Sequence, residues 1–171
     1  MRLTASVLKL LAVVFSVAFF SIRSFAVSQA HNMGHQHQSM QFETVKIDGL
    51  ALSNFRARAS IGSTKNSGAY GEIQSNTNDR LIKASSSVAK VVELHEHIND
   101  NGIMRMRKVE GGLALTAGKS IVMKPGGHHI MLIGLHEPLK ADTAMDLSLE
   151  FESGKLIELS IPIVSIKKMH H

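Results

Sequence analysis

Short apolar segments recur along the chain from Phe42 onward, separated by turn-forming residues. Several of these segments alternate apolar and polar side chains, which is the pattern of a half-buried β-strand. No helical period persists for long after the first 26 residues. The pattern predicts roughly eight to ten short strands in an antiparallel β-sandwich or barrel. The segments are FETVKID, LALSNFRAR, AYGEIQS, RLIKAS, AKVVELHEH, GIMRMRKV, KSIVMK, HHIMLIGL, AMDLSLEFES and KLIELSIPIVSI.

The start of the chain has a different pattern. Arg2 and Lys9 come before the apolar run LLAVVFSVAFFSI, and small residues follow it. This run is shorter than the roughly 20 residues that a membrane-spanning helix needs. We therefore predict a cleaved secretory signal peptide over residues 1–26, with cleavage after Ala30 as the alternative, and no stable membrane anchor.

The rest of the chain divides into three predicted parts. Residues 27–41, which include HNMGHQHQSMQ, lack apolar periodicity and are expected to form a flexible His/Met-rich segment. Residues 42–166 are expected to form one folded domain. Residues 167–171, KKMHH, form a short basic tail that ends in methionine and histidine.

Composition excludes some functions and narrows the possible metal chemistry. The net charge is +5, but three basic residues and no acidic ones lie in residues 1–26, which leaves +2 on the remainder. With one tyrosine and no tryptophan, a nucleic-acid surface has little support. The chain has no cysteine, so an exported form would hold a metal by imidazole, thioether or oxygen. The ten histidines and nine methionines are therefore the residues of interest.

Histidine and methionine are concentrated in the segments ELHEHINDNGIMRMRK and PGGHHIMLIGLH. Residues two apart on a strand share a face. Because a turn signal spans Asn99 to Gly102, the two strands of the first segment are expected to form a hairpin that brings their side chains together. The pairs that share a face are His95 with His97, Met104 with Met106, and His129 with Met131.

Such a set of donors favours Cu(I). Thioether sulfur is a polarisable neutral donor that selects Cu(I), whereas zinc favours thiolate or imidazole and magnesium or calcium favours oxygen. Each residue also has an ordinary alternative role. Met104, Met106 and Met131 could be packing residues, and His128 and His136 could be surface or hydrogen-bonded residues. It is the combination that favours a copper site.

The segments VELHEHINDNGIMRMRKVEGG and AGKSIVMKPGGHHIMLIGLHEPLKAD, and more weakly DRLIKASS, resemble the periplasmic PCu(A)C copper chaperones. The resemblance runs from about Val45 to Val164. It implies an all-β fold, a cupredoxin-like antiparallel Greek-key β-sandwich. The family's ligand pattern is His, ten residues, Met, twenty-one residues, His, one residue, Met. On this chain the pattern implies that the copper ligands are His95, Met106, His129 and Met131.

The chain departs from the family pattern at three points. Twenty-two residues separate Met106 from His129, and we place the extra residue in EGGLALTAGKS, which is expected to be a connecting loop. His97 stands where the family often has methionine, and His128 where an aromatic residue often precedes the closing histidine. Both changes add imidazole near the metal, and nitrogen-rich surroundings also suit Cu(II).

The resemblance implies a periplasmic metallochaperone that binds Cu(I) and delivers it for assembly of the copper centre of cytochrome c oxidase. The expected partner is a copper-acceptor protein, such as an oxidase subunit or another copper chaperone, and the chain is expected to be a monomer. The alternatives are a periplasmic copper resistance or storage protein and a structural β-sandwich without a metal. No hydrolase, phosphate-binding or zinc-protease motif indicates an enzyme.

The two ends of the chain are a second candidate for metal binding. The segment 27–41 and the tail 167–171 could bind Cu(II), with solvated disorder as the alternative. If cleavage followed Ala30, His31 would be the first residue, and its amine and imidazole could chelate Cu(II) together.

Overall fold

The computed structural model describes residues 44–167. The predicted signal peptide, the predicted segment 27–41 and the tail beyond Lys167 lie outside the described residues. Within residues 44–167, no helix is long and apolar enough to cross a membrane. This part of the chain consists mainly of strands joined by short turns, so the predicted all-β class is confirmed.

Eleven strands are described, slightly more than the pattern predicted. They are β1 (Val45–Ile47), β2 (Leu50–Arg58), β3 (Asn66–Ser75), β4 (Asp79–Ser85), β5 (Ala89–Asp100), β6 (Ile103–Lys108), β7 (Leu113–Leu115), β8 (Ser120–Met123), β9 (His129–Leu135), β10 (Thr143–Phe151) and β11 (Leu156–Val164).

The strands follow the order β6–β5–β9–β3–β2–β11–β10–β4–β7, with β1 paired to β2 and β8 paired to β3. The described pairs are antiparallel except β2 and β11, where Ala57 and Arg58 pair in parallel with Ile163 and Val164. The predicted antiparallel arrangement is thus correct for all these pairs but one. Because β2 and β11 are far apart in the chain, no tight turn forces them to be antiparallel.

Strands from both ends of this order contribute side chains to one large hydrophobic core. Leu94 of β5 and Ile130 of β9 belong to the same buried cluster as Leu81 of β4 and Leu113 of β7. The sheet therefore folds over on itself, as in a sandwich. Alternation along the strands supplies the core, as β10 illustrates with the buried side chains of Met145, Leu147, Leu149 and Phe151.

The segment EGGLALTAGKS, residues 110–120, is more than the connecting loop that we expected. It contains β7, which pairs with β4 and buries Leu113 and Leu115. Gly112 enters this strand with a φ of 87°, and a Cβ atom there would lie 2.3 Å from the carbonyl oxygen of Leu81. The expectation was wrong because three residues are too few to show a strand period, and the pairing partner lies far away in sequence.

Candidate metal centre

β5 and β6 form the predicted hairpin. Asn101 and Gly102 make the turn with φ values of 53° and 87°, the positive φ that a two-residue hairpin turn requires. The side chain of Asn99 supports the turn, because its Oδ1 accepts a hydrogen bond from the backbone N–H of Gly102 at 2.7 Å. The hairpin prediction is thus confirmed.

The strand register brings the four predicted ligands onto one face. His97 lies opposite Met106, and His95 lies opposite His129 on β9. Opposed residues of an antiparallel pair have side chains on the same face, as do residues two apart on one strand. Met131 therefore shares this face, which we call the histidine face. The other face of β5 and β9 carries buried core residues such as Leu94 and Ile130.

The register also shows that Met106 is a diagonal neighbour of His95 rather than its direct partner. The residue directly opposite His95 on β6 is Lys108. Diagonal neighbours on an antiparallel sheet are about 7–8 Å apart at Cα, within reach of a long side chain. Met104 lies one step further toward the turn, opposite Asn99.

Three imidazoles cluster at the centre of the histidine face. The ring centroid of His129 is 5.2 Å from that of His97 and 5.8 Å from that of His95. Even so, no group of three or more His, Asp or Glu side chains among residues 44–167 could hold a metal ion in the described arrangement. Met106 and Met131 share this face and add thioether sulfur to the possible donors.

Exposure rises from β9 to β6. His129 is buried at 3% exposed, the His95 side chain is 14% exposed, and Met106 at the sheet edge is 47% exposed. Met131 is half-buried between these extremes. An ion bound on this face would be held by the buried nitrogen of His129 on the β9 side and would be accessible from the β6 side, where the thioether of Met106 is exposed.

The surroundings of His129 favour the neutral form of its ring. Burial lowers the pKa of His129 below its ordinary value of 6.5, and the neighbouring imidazoles of His97 and His95 lower it further. The hydrogen bond from Nδ1 of His129 to the carbonyl of Gly127, at 3.0 Å, opposes this shift without cancelling it. A neutral imidazole has a free lone pair and is therefore ready to bind a metal.

Glu93 was not predicted from the sequence as part of the site. Its Oε2 lies 2.9 Å from Nε2 of His95, and its Oε1 lies 3.3 Å from Nζ of Lys108. The hydrogen bond with His95, followed by the interactions with Lys108, lowers the pKa of Glu93 although burial opposes the shift. The sequence did contain a signal, since Glu93 stands two residues before His95 on the same strand face.

Tyr70 of β3 was also not predicted. Its ring centroid is 6.3 Å from that of His129, and the residue is only 6% exposed. Gly68, which pairs with Met131, leaves space for this ring, because a Cβ there would lie 2.8 Å from the Tyr70 hydroxyl oxygen. Tyr70 thus closes the β3 side of the histidine face. The contact of Tyr70 with His129 depends on pairing between strands that are distant in the chain, so no local sequence pattern predicts it.

The remaining candidates are His128, His136 and the residues that lie outside the described part of the chain. Nδ1 of half-buried His128 has no hydrogen-bond partner among the described residues. His136 is exposed and follows the far end of β9, about 23 Å along the strand from His129. It lines a separate cleft of about 380 Å³ together with Glu137 and Lys140. The structure does not describe His31 or the other histidines and methionines of segment 27–41 and the tail.

Comparison with known proteins shows where this fold belongs. The family model described as "Putative lipoprotein LpqE-like" matches residues 50–163. A relative named "Putative lipoprotein Lxx21020", from Leifsonia xyli subsp. xyli (strain CTCB07), is 30% identical over 136 residues, which are 75% of this chain and 78% of that protein.

Solved structures show the same fold. The copper-bound PCuAC domain from PmoF2 matches with a TM-score of 0.60 and 18% identity, over 72% of this chain and 98% of that domain. The Cu(I) form of DR1885 from Deinococcus radiodurans matches with a TM-score of 0.55 and 20% identity, over 71% of this chain and 80% of that protein. The resemblance to the PCu(A)C proteins and the predicted fold class are thus confirmed. The chain belongs to the LpqE-like family and has the β-sandwich fold of the PCuAC domains.

Proposed function

We propose that this protein is an exported metallochaperone that binds Cu(I) through His95, Met106, His129 and Met131 and delivers it to an acceptor protein. The observation that carries the proposal is the register of β6, β5 and β9, which gives these four residues a common face. Two segments that are distant in sequence thereby contribute one nitrogen and one sulfur donor each.

The chemistry of the donors favours Cu(I) as the cargo. All four ligands are neutral when they bind, and the two thioethers are soft donors that select Cu(I) over harder ions. The chain has no cysteine, so the site contains no thiol that could oxidise outside the cytoplasm. The solved PCuAC structures include a copper-bound domain and a Cu(I) form, which supports this choice.

The proposed route of copper transfer follows from the difference in solvent exposure between the ligands. Met106 lies on the edge strand and is half exposed, whereas His129 is buried. A ligand of the acceptor can therefore approach the ion from the β6 side and replace the sulfur of Met106 first. The buried imidazole would leave last. Met104 and His97, which flank this route, would serve as auxiliary ligands or support the main ones.

The place of action that we propose is the periplasm, reached by means of the signal peptide over residues 1–26. The lipoprotein descriptions of the family and of the Leifsonia relative support export. The acceptor that we propose is an oxidase subunit or another copper chaperone, and transfer involves no covalent chemistry. We propose that the protein works as a monomer with one domain over residues 42–166.

A competition titration with a Cu(I) chelator tests the site. The mature protein should bind one Cu(I) tightly, and the variant His129→Ala, Met131→Ala should lose this binding. The matched control is His136→Ala, which removes an exposed histidine at the far end of β9 and should leave affinity unchanged. Equal uptake by the double variant and the wild type would refute the proposed site and assign the copper to segment 27–41 or the tail.

Tyrosine fluorescence distinguishes the folded site from the ends of the chain. Tyr70 is the only tyrosine, the chain has no tryptophan, and the ring lies beside His129. Copper that binds on the histidine face should change this emission in proportion to its occupancy. Copper uptake without any change in tyrosine emission would argue that the ion binds elsewhere.

A further inference from the structure

Each of the two predicted histidine ligands has one ring nitrogen engaged in a hydrogen bond and one that is free. Nε2 of His95 lies 2.9 Å from a carboxylate oxygen of Glu93. A carboxylate only accepts hydrogen bonds, so this nitrogen carries the proton. In the neutral ring, the lone pair of His95 is then on Nδ1, which is buried and has no hydrogen-bond partner among the described residues.

His129 has the opposite arrangement. Its Nδ1 lies 3.0 Å from the carbonyl oxygen of Gly127, and a carbonyl also only accepts. The proton is therefore on Nδ1 and the lone pair on Nε2. The same carbonyl lies 3.4 Å from Nδ1 of His97, so the backbone at Gly127 orients two rings of the cluster.

We propose that Glu93 is the positioning residue of the copper site, and that it makes Nδ1 of His95 the ligand while the Gly127 carbonyl makes Nε2 of His129 the ligand. The inference rests on the proposed function, since it assigns the binding atoms of that same site. A buried imidazole nitrogen without a partner is costly unless a ligand satisfies it, and a bound cuprous ion would do so.

Glu93 itself is held in place from the neighbouring strand. Lys108, which lies opposite His95 on β6, approaches the second carboxylate oxygen at 3.3 Å. Glu93 is thus fixed between a cation and an imidazole and keeps one orientation. A carboxylate that accepts the distal N–H of a ligating imidazole fixes the ring and raises the basicity of its other nitrogen. Removal of such a partner typically lowers metal affinity about 10- to 100-fold.

Glu96 supplies a matched control on the same strand. The Glu93 and Glu96 side chains are both 24% exposed, and each forms an ion pair with a basic residue of β6. Glu96 pairs with Arg107 at 2.7 Å and contacts no ring of the cluster in its described hydrogen bonds. Loss of Glu96 therefore removes a comparable cross-strand ion pair without altering the hydrogen bond to His95.

The first experiment reads the tautomers directly. Long-range proton–nitrogen NMR correlation spectra of the ¹⁵N-labelled apo protein, at a pH where imidazole is neutral, should show His95 protonated on Nε2 and His129 protonated on Nδ1. After Cu(I) loading, both N–H groups should persist, and the shifts should appear at Nδ1 of His95 and Nε2 of His129. Loss of the proton from Nε2 of His95 on Cu(I) loading would overturn the inference.

The second experiment compares affinities. Glu93→Ala should weaken Cu(I) binding about 10- to 100-fold, Glu93→Gln should weaken it less because its amide oxygen still accepts from Nε2, and Glu96→Ala should bind as the wild type does. Thermal melting of each variant checks that it folds. Equal affinity for Glu93→Ala and Glu96→Ala would overturn this inference alone. A wild-type protein that binds no copper would overturn both this inference and the proposed function.

Discussion

Replacement of Met106 by leucine tests whether this residue is a copper ligand or only a packing residue. Leucine has nearly the same apolar volume but no sulfur. If Met106 is a Cu(I) ligand, the variant should keep its stability and lose affinity. If Met106 is only an apolar surface residue, neither property should change.

The structure sets the size of both effects. Full burial of a methionine side chain contributes about 1.5–3 kcal/mol to stability, but Met106 is 47% exposed and leucine covers the same surface. The free energy of unfolding should therefore change by less than about 0.5 kcal/mol, as is usual for surface substitutions. Loss of one of four ligands should weaken Cu(I) binding at least tenfold, which corresponds to about 1.4 kcal/mol.

Met104→Leu is the control. Met104 is on the same strand and is 57% exposed, but it lies opposite Asn99 and about 7 Å further from His95 along β6. Urea denaturation of the apo proteins should give the same midpoint for both variants, and chelator competition should show the loss of Cu(I) affinity only for Met106→Leu. Cu(II) affinity should fall less than Cu(I) affinity, because sulfur is the soft donor. Equal Cu(I) affinity of the two variants would refute the assignment of Met106.

Two further predictions concern stability. Because burial lowers the pKa of His129 below 6.5, the unfolded chain takes up this proton at a higher pH than the folded protein does. The free energy of unfolding should therefore decrease as the pH falls below about 6.5. Urea titrations at several pH values should show that this decrease is smaller in His129→Gln. The same pH dependence in the variant and the wild type would contradict the argument. Gly112→Ala should destabilise the apo protein by more than about 1 kcal/mol, since its φ is 87° and a Cβ would meet the Leu81 carbonyl oxygen at 2.3 Å. Gly118→Ala, with a φ of 73° and no atom within 4 Å of the added Cβ, should cost clearly less in the same denaturation assay.

The strands with clear alternation were predictable, and so was the hairpin of β5 and β6. Its turn contains Asn101 and Gly102, which tolerate positive φ, and the two strands are adjacent in the chain. Local rules are sufficient for such an element. They were not sufficient for β7, whose three residues are strand only because they pair with β4. The parallel pairing of β2 with β11 likewise depends on the whole fold rather than on any local signal.

Within the candidate site, the sequence pointed to His95, Met106, His129 and Met131 but not to the groups around them. Glu93 and Tyr70 are common residue types on ordinary strands. The spacing of two residues between Glu93 and His95 was a weak local signal, and Tyr70 had no such signal. The contact of Tyr70 with His129 arises because β9 pairs with β3, and Glu93 meets Lys108 because β5 pairs with β6. The role of the Gly127 carbonyl also could not be predicted from the sequence, because every residue has a backbone carbonyl.

The sequence by itself determined the β-class, the inventory of soft donors without thiols, and the spacing of histidine and methionine along each strand. These properties are local, because side-chain chemistry and the period of two do not depend on distant residues. Only the tertiary structure decided that His129 faces His95, which nitrogen of each ring is free, and how deeply each donor is buried. Those properties depend on the register between strands that are distant in the chain, and register is set by burial of the opposite, apolar face in a common core.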